Sequence, residues 1–305
     1  MRHANWYLGA VNCKRPGLNH RPPMTPHIHH VAPEFFWISG ALILASLVYL
    51  HKWLRLRRHD HNVEAWRAAS FVCGLSFIWI ATASPLASLD HELLTAHMVQ
   101  HLLLMTLAPP LILLGMPRKL AVHGLLQQFA SAVTRPALCW FAAAGTLVLW
   151  HIPSVFILGL RSQMWHDIEQ ASFLATGLLF WWPVVQPWPR VSRWPESSML
   201  LHLFLATLPC DIFSGFLVFC DRVVYPVFLS SPHSFGRSAL EDQQCAGALM
   251  WTCVTIVYLI AGAVFTARLL SPYRSHQRSA ELVIPAFDSR TIAVRHTDPQ
   301  RMEAV

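Results

Sequence analysis

Seven apolar runs of about 17–25 residues recur along this chain of 305 residues, and they constrain its fold more than any other feature. Such runs have the length of a helix that crosses a bilayer, and they are too long for buried strands. Because backbone polar groups in hydrocarbon must be hydrogen-bonded within the chain, we expect each run to be a helix. The runs occupy residues 35–51, 68–84, 93–115, 137–152, 164–185, 198–220 and 245–268. The sequence therefore predicts an all-α transmembrane bundle with seven spans.

The low content of charged residues excludes most other classes of protein. Charged residues make up 13% of the chain and hydrophobic residues 54%, whereas about 25% of a soluble domain is charged. The net charge of +7 resides in loops and tails, so we expect a lipid bilayer and not a nucleic acid as partner. The seven cysteines indicate no disulfide framework. The sequence contains no nucleophile–base arrangement or phosphate loop, so we do not expect an enzyme.

The distribution of basic residues predicts the orientation of the bundle. The loops and tail on one face carry 16 Lys and Arg residues, and those on the other face carry 7. Because cytoplasmic loops are enriched in these residues, the N-terminus is predicted outside and the C-terminus in the cytoplasm. Three regions follow: a polar outer tail at 1–33, the seven-span domain at 34–270 and a polar cytoplasmic tail at 271–305.

Smaller features accompany these regions. The outer tail contains a histidine tract that either captures metal or is simply solvated, formed by His27, His29 and His30. Met24 is a candidate start residue. Residues 118–132 are predicted to form a short amphipathic helix at the membrane interface. Pro109 and Pro110 interrupt the third span and are expected to kink it.

Polar side chains from separate stretches are predicted to meet at the outer ends of the spans. His97 and His101 are four residues apart and share one face of the third span. His151 ends the fourth span and His166 opens the fifth. Carboxylates fall at the same depth, namely Asp90, Glu92, Glu169 and Asp242. Because ionisable groups are costly in a membrane, this convergence indicates a functional site.

A metal site is the first interpretation of this convergence. His97 and His101 would be the principal ligands, with His151 or His166 completing the set. The four carboxylates would orient the imidazoles or carry released protons. Hydrogen bonding between helices and a proton relay are the other interpretations of the histidine pair.

Four motifs in this order resemble a known family. They are HMVQHLLLMTLAPPLILLG (97–115), WHIP (150–153), HDIEQASFLATGLLFWWPV (166–184) and DQQCAGALMW (242–251). Together they resemble the CtaG family of cytochrome c oxidase assembly factors, over roughly residues 35–270. The resemblance implies a multi-pass protein of the bacterial inner membrane that is needed to form active cytochrome c oxidase, with a role in copper supply. Oxidase subunits are then the implied partners.

The family's patterns fall on specific positions of this chain. They fall on His97, Gln100, His101, Trp150, His151, His166, Glu169, Asp242, Gln243 and Gln244. One position departs, since Gln170 stands where the family often has the last histidine of H-x-x-E-H. An amide oxygen is a poor substitute for imidazole at a transition metal. Either this position is not a ligand, or the site differs from that of the family.

We therefore expect an oxidase assembly factor that holds copper transiently at a histidine site in the outer leaflet. One alternative is a haem-binding protein, in which His101 would pair with His151 or His166, because His97 and His101 project from one face of one helix. A second alternative is a metal-free membrane chaperone for an oxidase subunit, with its histidines as polar contacts between helices.

Overall fold

The computed structural model describes residues 33–59, 64–116, 135–185, 196–230 and 236–270. The long elements are α1 (Pro33–His59), α2 (Ala65–Ala83), α3 (Leu94–Gly115), α4 (Pro136–His151), α5 (Pro153–Arg161), α6 (Gln163–Val185), α7 (Glu196–Phe219) and α8 (Ala239–Leu270). Two short 3₁₀ helices, Pro85–Ser88 and Pro226–Ser230, lie in connections. These ranges contain no strand, so the all-α prediction is confirmed. The predicted interfacial helix at 118–132 and the histidine tract of the outer tail lie outside the described residues.

Five of these helices are long and apolar enough to cross a membrane. They are α1, α2, α3, α7 and α8. A sixth crossing is possible if α4 and α5, which meet at a bend of 77°, form one broken span. Helix α6 carries His166, Glu169 and Gln170, and it is not among the five. The chain is thus a helical membrane protein with five or six candidate spans, and the count of seven stays a prediction.

Helix α3 is the central element of the bundle. Within its most apolar stretch 67% of the residues are buried, compared with 6% in α1. Its first turns pack against α8, and its second half packs against α2 and α6. Helix α7 packs against α8 and α4 on one side of this centre. A buried polar residue on α3 is therefore surrounded by protein and not by lipid.

Helix α3 contains a π-helical turn at Leu102–Leu107, just before the two prolines that were expected to kink the span. The amide of Ala108 bonds to the carbonyl of Leu103, five residues back, and the helix then continues through both prolines. Pro109 lacks the N–H that would bond to the Met105 carbonyl in a regular α-helix. The indole N–H of Trp181 on α6 donates to that carbonyl at 3.2 Å. A backbone acceptor that the proline leaves free is thereby satisfied.

The break between α4 and α5 brings a short helix over the end of the bundle. Ile152 has extended dihedral angles, φ −65° and ψ 125°, as expected for a residue that precedes proline. The chain bends there, and Phe156 of α5 packs against the ring of His97 at 4.9 Å between ring centroids. The hydroxyl of Tyr225 donates to the carbonyl of His151 at 2.9 Å. No element was predicted for residues 153–161, so α5 adds a helix to the expected architecture.

Candidate metal centre

Four helix ends bring the predicted polar side chains to one end of the bundle. Helices α3, α6 and α8 begin there, and α4 ends there. His97 and His101 come from α3, His151 from the last residue of α4, and His166 and Glu169 from the first turns of α6. All five side chains are buried. The convergence read from the sequence is therefore present, and it divides into two groups of possible ligands.

The first group, which we call the inner site, consists of His97, His101 and Glu169. The Nε2 atoms of the two histidines are 2.9 Å apart. Oε1 of Glu169 lies 3.5 Å from Nε2 of His97 and 3.3 Å from Nε2 of His101. In tetrahedral geometry, an ion with bonds of about 2.0–2.1 Å holds its ligand atoms about 3.3 Å apart. The two contacts of Glu169 have this spacing, whereas the two Nε2 atoms lie at a hydrogen-bond distance and would separate by a few tenths of an ångström around such an ion.

The inner site leaves buried polar atoms without hydrogen bonds. Within the described ranges, neither carboxylate oxygen of Glu169 makes a hydrogen bond of standard geometry, and the polar atoms nearest to Oε1 are the two imidazole nitrogens. The Nδ1 atoms of His97 and His101 also have no hydrogen-bond partner there. Glu169 and His97 have 0% of their surface exposed. A buried carboxylate is costly unless it is paired or binds a metal, so a cation at this point would satisfy it.

Aromatic rings enclose the inner site. Phe173 stacks on His101 at 4.0 Å, and Phe156 meets His97 edge to face. The two histidine rings are themselves perpendicular, with centroids 4.4 Å apart. These rings fix the orientation of the imidazoles and exclude water, which strengthens electrostatic interactions inside.

His151 lies beside the inner site but is oriented by other partners. Its Nδ1 donates to the carbonyl of Leu147 at 2.7 Å, which leaves Nε2 with its lone pair. That Nε2 lies 3.4 Å from the sulfur of Met98, and the His151 ring is 5.9 Å from that of His101. His151 is therefore an adjacent imidazole and does not belong to the group of three.

The second group, which we call the outer site, consists of Asp90, His91 and His166. Oδ2 of Asp90 lies 3.3 Å from Nε2 of His166, and Oδ1 lies 3.7 Å from Nε2 of His91. Asp90 and His91 belong to the turn before α3. The structure thus brings His166 next to Asp90, while its ring stacks near that of His97 at 5.8 Å.

Two glutamines link residues of the outer site to one another. Gln100 donates to Oδ2 of Asp90 at 3.3 Å, and Nε2 of Gln170 lies 3.5 Å from Oε1 of Gln100. Nε2 of Gln170 also lies 3.1 Å from Nε2 of His166. The position at which this chain departs from the family pattern therefore adjoins the outer site.

Asp242 has a different role from the one expected of it. Its carboxylate accepts hydrogen bonds from the backbone N–H of Leu94 at 2.6 Å and from the hydroxyl of Thr95 at 2.6 Å. A carboxylate at a helix N-terminus satisfies free N–H groups and the helix dipole. Asp242 thereby fixes the start of α3 against α8 and does not contact an imidazole of either site. Glu92 belongs to neither group of possible ligands.

His91 was not among the site residues predicted from the sequence. It precedes the apolar run of α3, and its side chain is 51% exposed, so burial gives no hint of function. The feature of the sequence that points to His91 is its position next to Asp90, in the turn just before α3, the helix that carries His97 and His101. Glu169 was expected to orient imidazoles, whereas its oxygen lies among the possible ligand atoms.

Gly159 allows α5 to approach the inner site. A Cβ atom at this position would lie 2.7 Å from Oε2 of Glu169, the movable end of a side chain. We expect Gly159→Ala to fold normally but to displace this carboxylate, lowering metal affinity roughly 10-fold. Equilibrium competition with a chelator measures the change. Gly215→Ala, whose new methyl has only Trp251 at 3.9 Å, is the control, and equal affinity in both variants would contradict the assignment.

The fold and these two groups define a helical membrane protein with a buried imidazole–carboxylate centre at one end of its bundle. The sequence profile of the cytochrome c oxidase caa3 assembly factor family (Caa3_CtaG) matches residues 47–271. The chain therefore belongs to this family, and the resemblance noted from its motifs is confirmed.

Relatives in mycobacteria are similar over most of this chain. An uncharacterised protein of Mycobacterium leprae is 22% identical over 244 residues, which cover 73% of this chain and 37% of the relative. An uncharacterised protein of Mycobacterium bovis is 21% identical over 274 residues, covering 82% of this chain and 41% of the relative. The chain thus spans about two fifths of the length of these relatives. No solved structure matches significantly.

Proposed function

We propose that this protein assists the assembly of cytochrome c oxidase by holding a copper ion transiently and passing it to an oxidase subunit within the membrane. The observation that carries the proposal is the inner site, where three ligand atoms have separations of 2.9, 3.3 and 3.5 Å. The buried Glu169 carboxylate, which is not hydrogen-bonded there, supports a cation as the missing partner.

The donor atoms favour copper as the divalent ion. Two imidazoles and a carboxylate are ligands for Cu²⁺ or Zn²⁺, whereas Cu⁺ is selected by sulfur ligands. Among first-row divalent ions such a site binds Cu²⁺ most tightly. No cysteine of the described ranges belongs to either group of possible ligands. Without thiolates the ligands stay exchangeable, which suits an ion that must be passed on.

We further infer seven spans in the inner membrane, with the N-terminus outside. Helices α1, α2, α3, α4, α6, α7 and α8 overlap the seven apolar runs. The excess of Lys and Arg, 16 against 7, favours a cytoplasmic location for the end of the bundle opposite the sites. The inner and outer sites would then lie in the outer leaflet.

Packing around the histidines disfavours the haem alternative. A haem needs a flat open slot on the coordinating side of an imidazole. The Nε2 atoms of His97 and His101 instead face each other at 2.9 Å. The ring of Phe173 stacks directly on His101. A metal-free chaperone remains the competing function, and the following experiment separates the two.

The test compares the purified protein in detergent with the variant His97→Ala/His101→Ala. We expect about one tightly bound equivalent of copper and no haem absorption in the original protein after purification, and loss of that tight equivalent in the variant because two of three ligands are absent. Elemental analysis and a visible spectrum are the measurements. The control is His51→Ala, an exposed residue of α1 outside both sites.

The same variants are then expressed in a strain that depends on the protein for oxidase assembly. The double variant is expected to remain in the membrane while the copper content and activity of the oxidase fall. Normal oxidase copper in the double variant would contradict the proposal and favour the chaperone. A haem absorption band in the purified protein would contradict it in favour of haem.

A further inference from the structure

We propose that Asp90, His91 and His166 form a second metal site, at which a divalent ion is captured from the aqueous phase and passed to the inner site. This inference rests on the proposed function, since it takes the inner site to hold an ion. It adds a residue, His91, and a route to that site. The divalent ion used to test this site is Cu²⁺.

Asp90 provides the first argument for a second site. Its side chain is 1% exposed, and within the described ranges its Oδ1 atom has no hydrogen-bond partner. The possible ligand atoms of Asp90, His91 and His166 all lie within 4.8 Å of one another. A buried carboxylate with an imidazole near each oxygen, and with no hydrogen-bond donor to one of them, is an arrangement that a cation would stabilise.

Exposure provides the second argument. The side chain of His91 is 51% exposed, that of His166 is 6% exposed and that of His97 is fully buried. The inner site is enclosed, so an ion needs a path to it. His91 is the accessible imidazole of the outer site, and it can bind an ion that is still partly hydrated.

The spacing of the rings provides the third argument. The centroids of His91 and His166 are 5.9 Å apart, and those of His166 and His97 are 5.8 Å apart. From His97 the next imidazole, His101, is 4.4 Å away. An ion can therefore move inward by exchanging one imidazole at a time, without crossing a gap that has no ligand.

The pair of amides beside the outer site supports its assignment. Gln100 donates to Asp90, and Gln170 lies against His166 on the side that faces Gln100. These hydrogen bonds orient the carboxylate and the imidazole, as outer partners of metal ligands do. Each site combines two imidazoles with one carboxylate. Because the ligand types are the same in both sites, the ion is not held at the outer site by a better set of ligands and can pass to the inner site.

The experiment follows Cu²⁺ uptake by the full chain in detergent, by stopped-flow absorbance and by competition with a chelator. The original protein is expected to bind two equivalents, one of them weakly. His91→Ala should keep the tight equivalent, lose the weak one and load about 10-fold more slowly. The control His51→Ala should behave as the original protein does.

The variant His97→Ala/His101→Ala separates this inference from the proposed function. It is expected to lose the tight equivalent and to keep the weak one, which would show that the outer site binds independently. Loading of His91→Ala at the original rate would overturn the route while leaving the inner site in place. Absence of copper from the original protein would overturn both proposals.

A substitution that adds a ligand gives an independent check. The Nε2 atom of Gln170 lies 3.1 Å from that of His166, so Gln170→His would place a third imidazole at the outer site. We expect the weak equivalent to bind about 10-fold more tightly in this variant. Unchanged affinity for the weak equivalent would contradict the location of the outer site.

Discussion

Replacing Glu169 with glutamine is expected to weaken copper binding at the inner site by roughly 100-fold or more, since even residues behind the ligands contribute 10–100-fold. The side chain keeps its volume and loses its negative charge, and an amide oxygen is a poor ligand for a transition metal. Because Oε1 lies within 3.5 Å of both imidazoles, no other described carboxylate can replace it at this site. Competition with a chelator at equilibrium measures the loss.

Asp167→Asn is the matched control for this substitution. Asp167 lies on the same helix, is exposed and accepts a hydrogen bond from Gln163 at 2.9 Å. It undergoes the same change from acid to amide, and copper affinity is expected to stay as in the original protein. If Glu169→Gln bound copper as tightly as Asp167→Asn does, Glu169 would not be a ligand.

Gly177→Ala is expected to destabilise the bundle, because the new methyl group would collide with the backbone of α3. Its Cβ would lie 2.7 Å from the Met105 carbonyl oxygen, 2.8 Å from the Met105 Cα and 2.9 Å from a ring carbon of Pro109. Two of these atoms are backbone, so α6 must move away from α3. Overpacking of this kind costs about 1–3 kcal/mol. The temperature at which half of the monodisperse protein is lost in detergent should fall by several degrees.

Gly145→Ala on α4 is the control for this destabilisation. A Cβ at Gly145 has no atom within 4 Å, and alanine favours a helix over glycine by roughly 0.5–1 kcal/mol. The same chemical change is thus expected to raise the midpoint slightly at Gly145 and to lower it at Gly177. Equal midpoints for the two variants would contradict the close packing of α6 on α3.

Hydrophobicity predicted the helices well because length and composition alone determine which segments favour the interior of a bilayer. The spacing of His97 and His101 likewise placed both imidazoles on one face, and their Nε2 atoms do meet. The boundaries of the predicted spans alone placed His151 at the end of one helix and His166 at the start of another. These features are local, so periodicity and order along the chain determine them.

The features that were not predicted depend on contacts between distant residues. Asp242 and Leu94 are 148 positions apart, so its hydrogen bond to the start of α3 could not be read from either segment. Helix α5 has only nine residues and bends by 77° from α4, and short elements lack a clear periodic signal. His91 belongs to a group of possible ligands only because His166, from another helix, lies beside Asp90.

The π-helical turn of α3 makes the length of this segment as important as its chemistry. A π turn is equivalent to one extra residue in an α-helix, and each residue rotates the chain by about 100°. The π turn absorbs this extra residue, so the face that carries His101 stays in register with the face that carries Ile112, which packs against Gly74. Inserting a further leucine into Leu102–Leu104 would remove no ligand, yet the added residue would rotate the histidines by about 100° away from Glu169. A single insertion in this apolar stretch is thus expected to be as damaging as loss of a histidine, whereas a single deletion would convert the π turn to regular α-helix and keep the register.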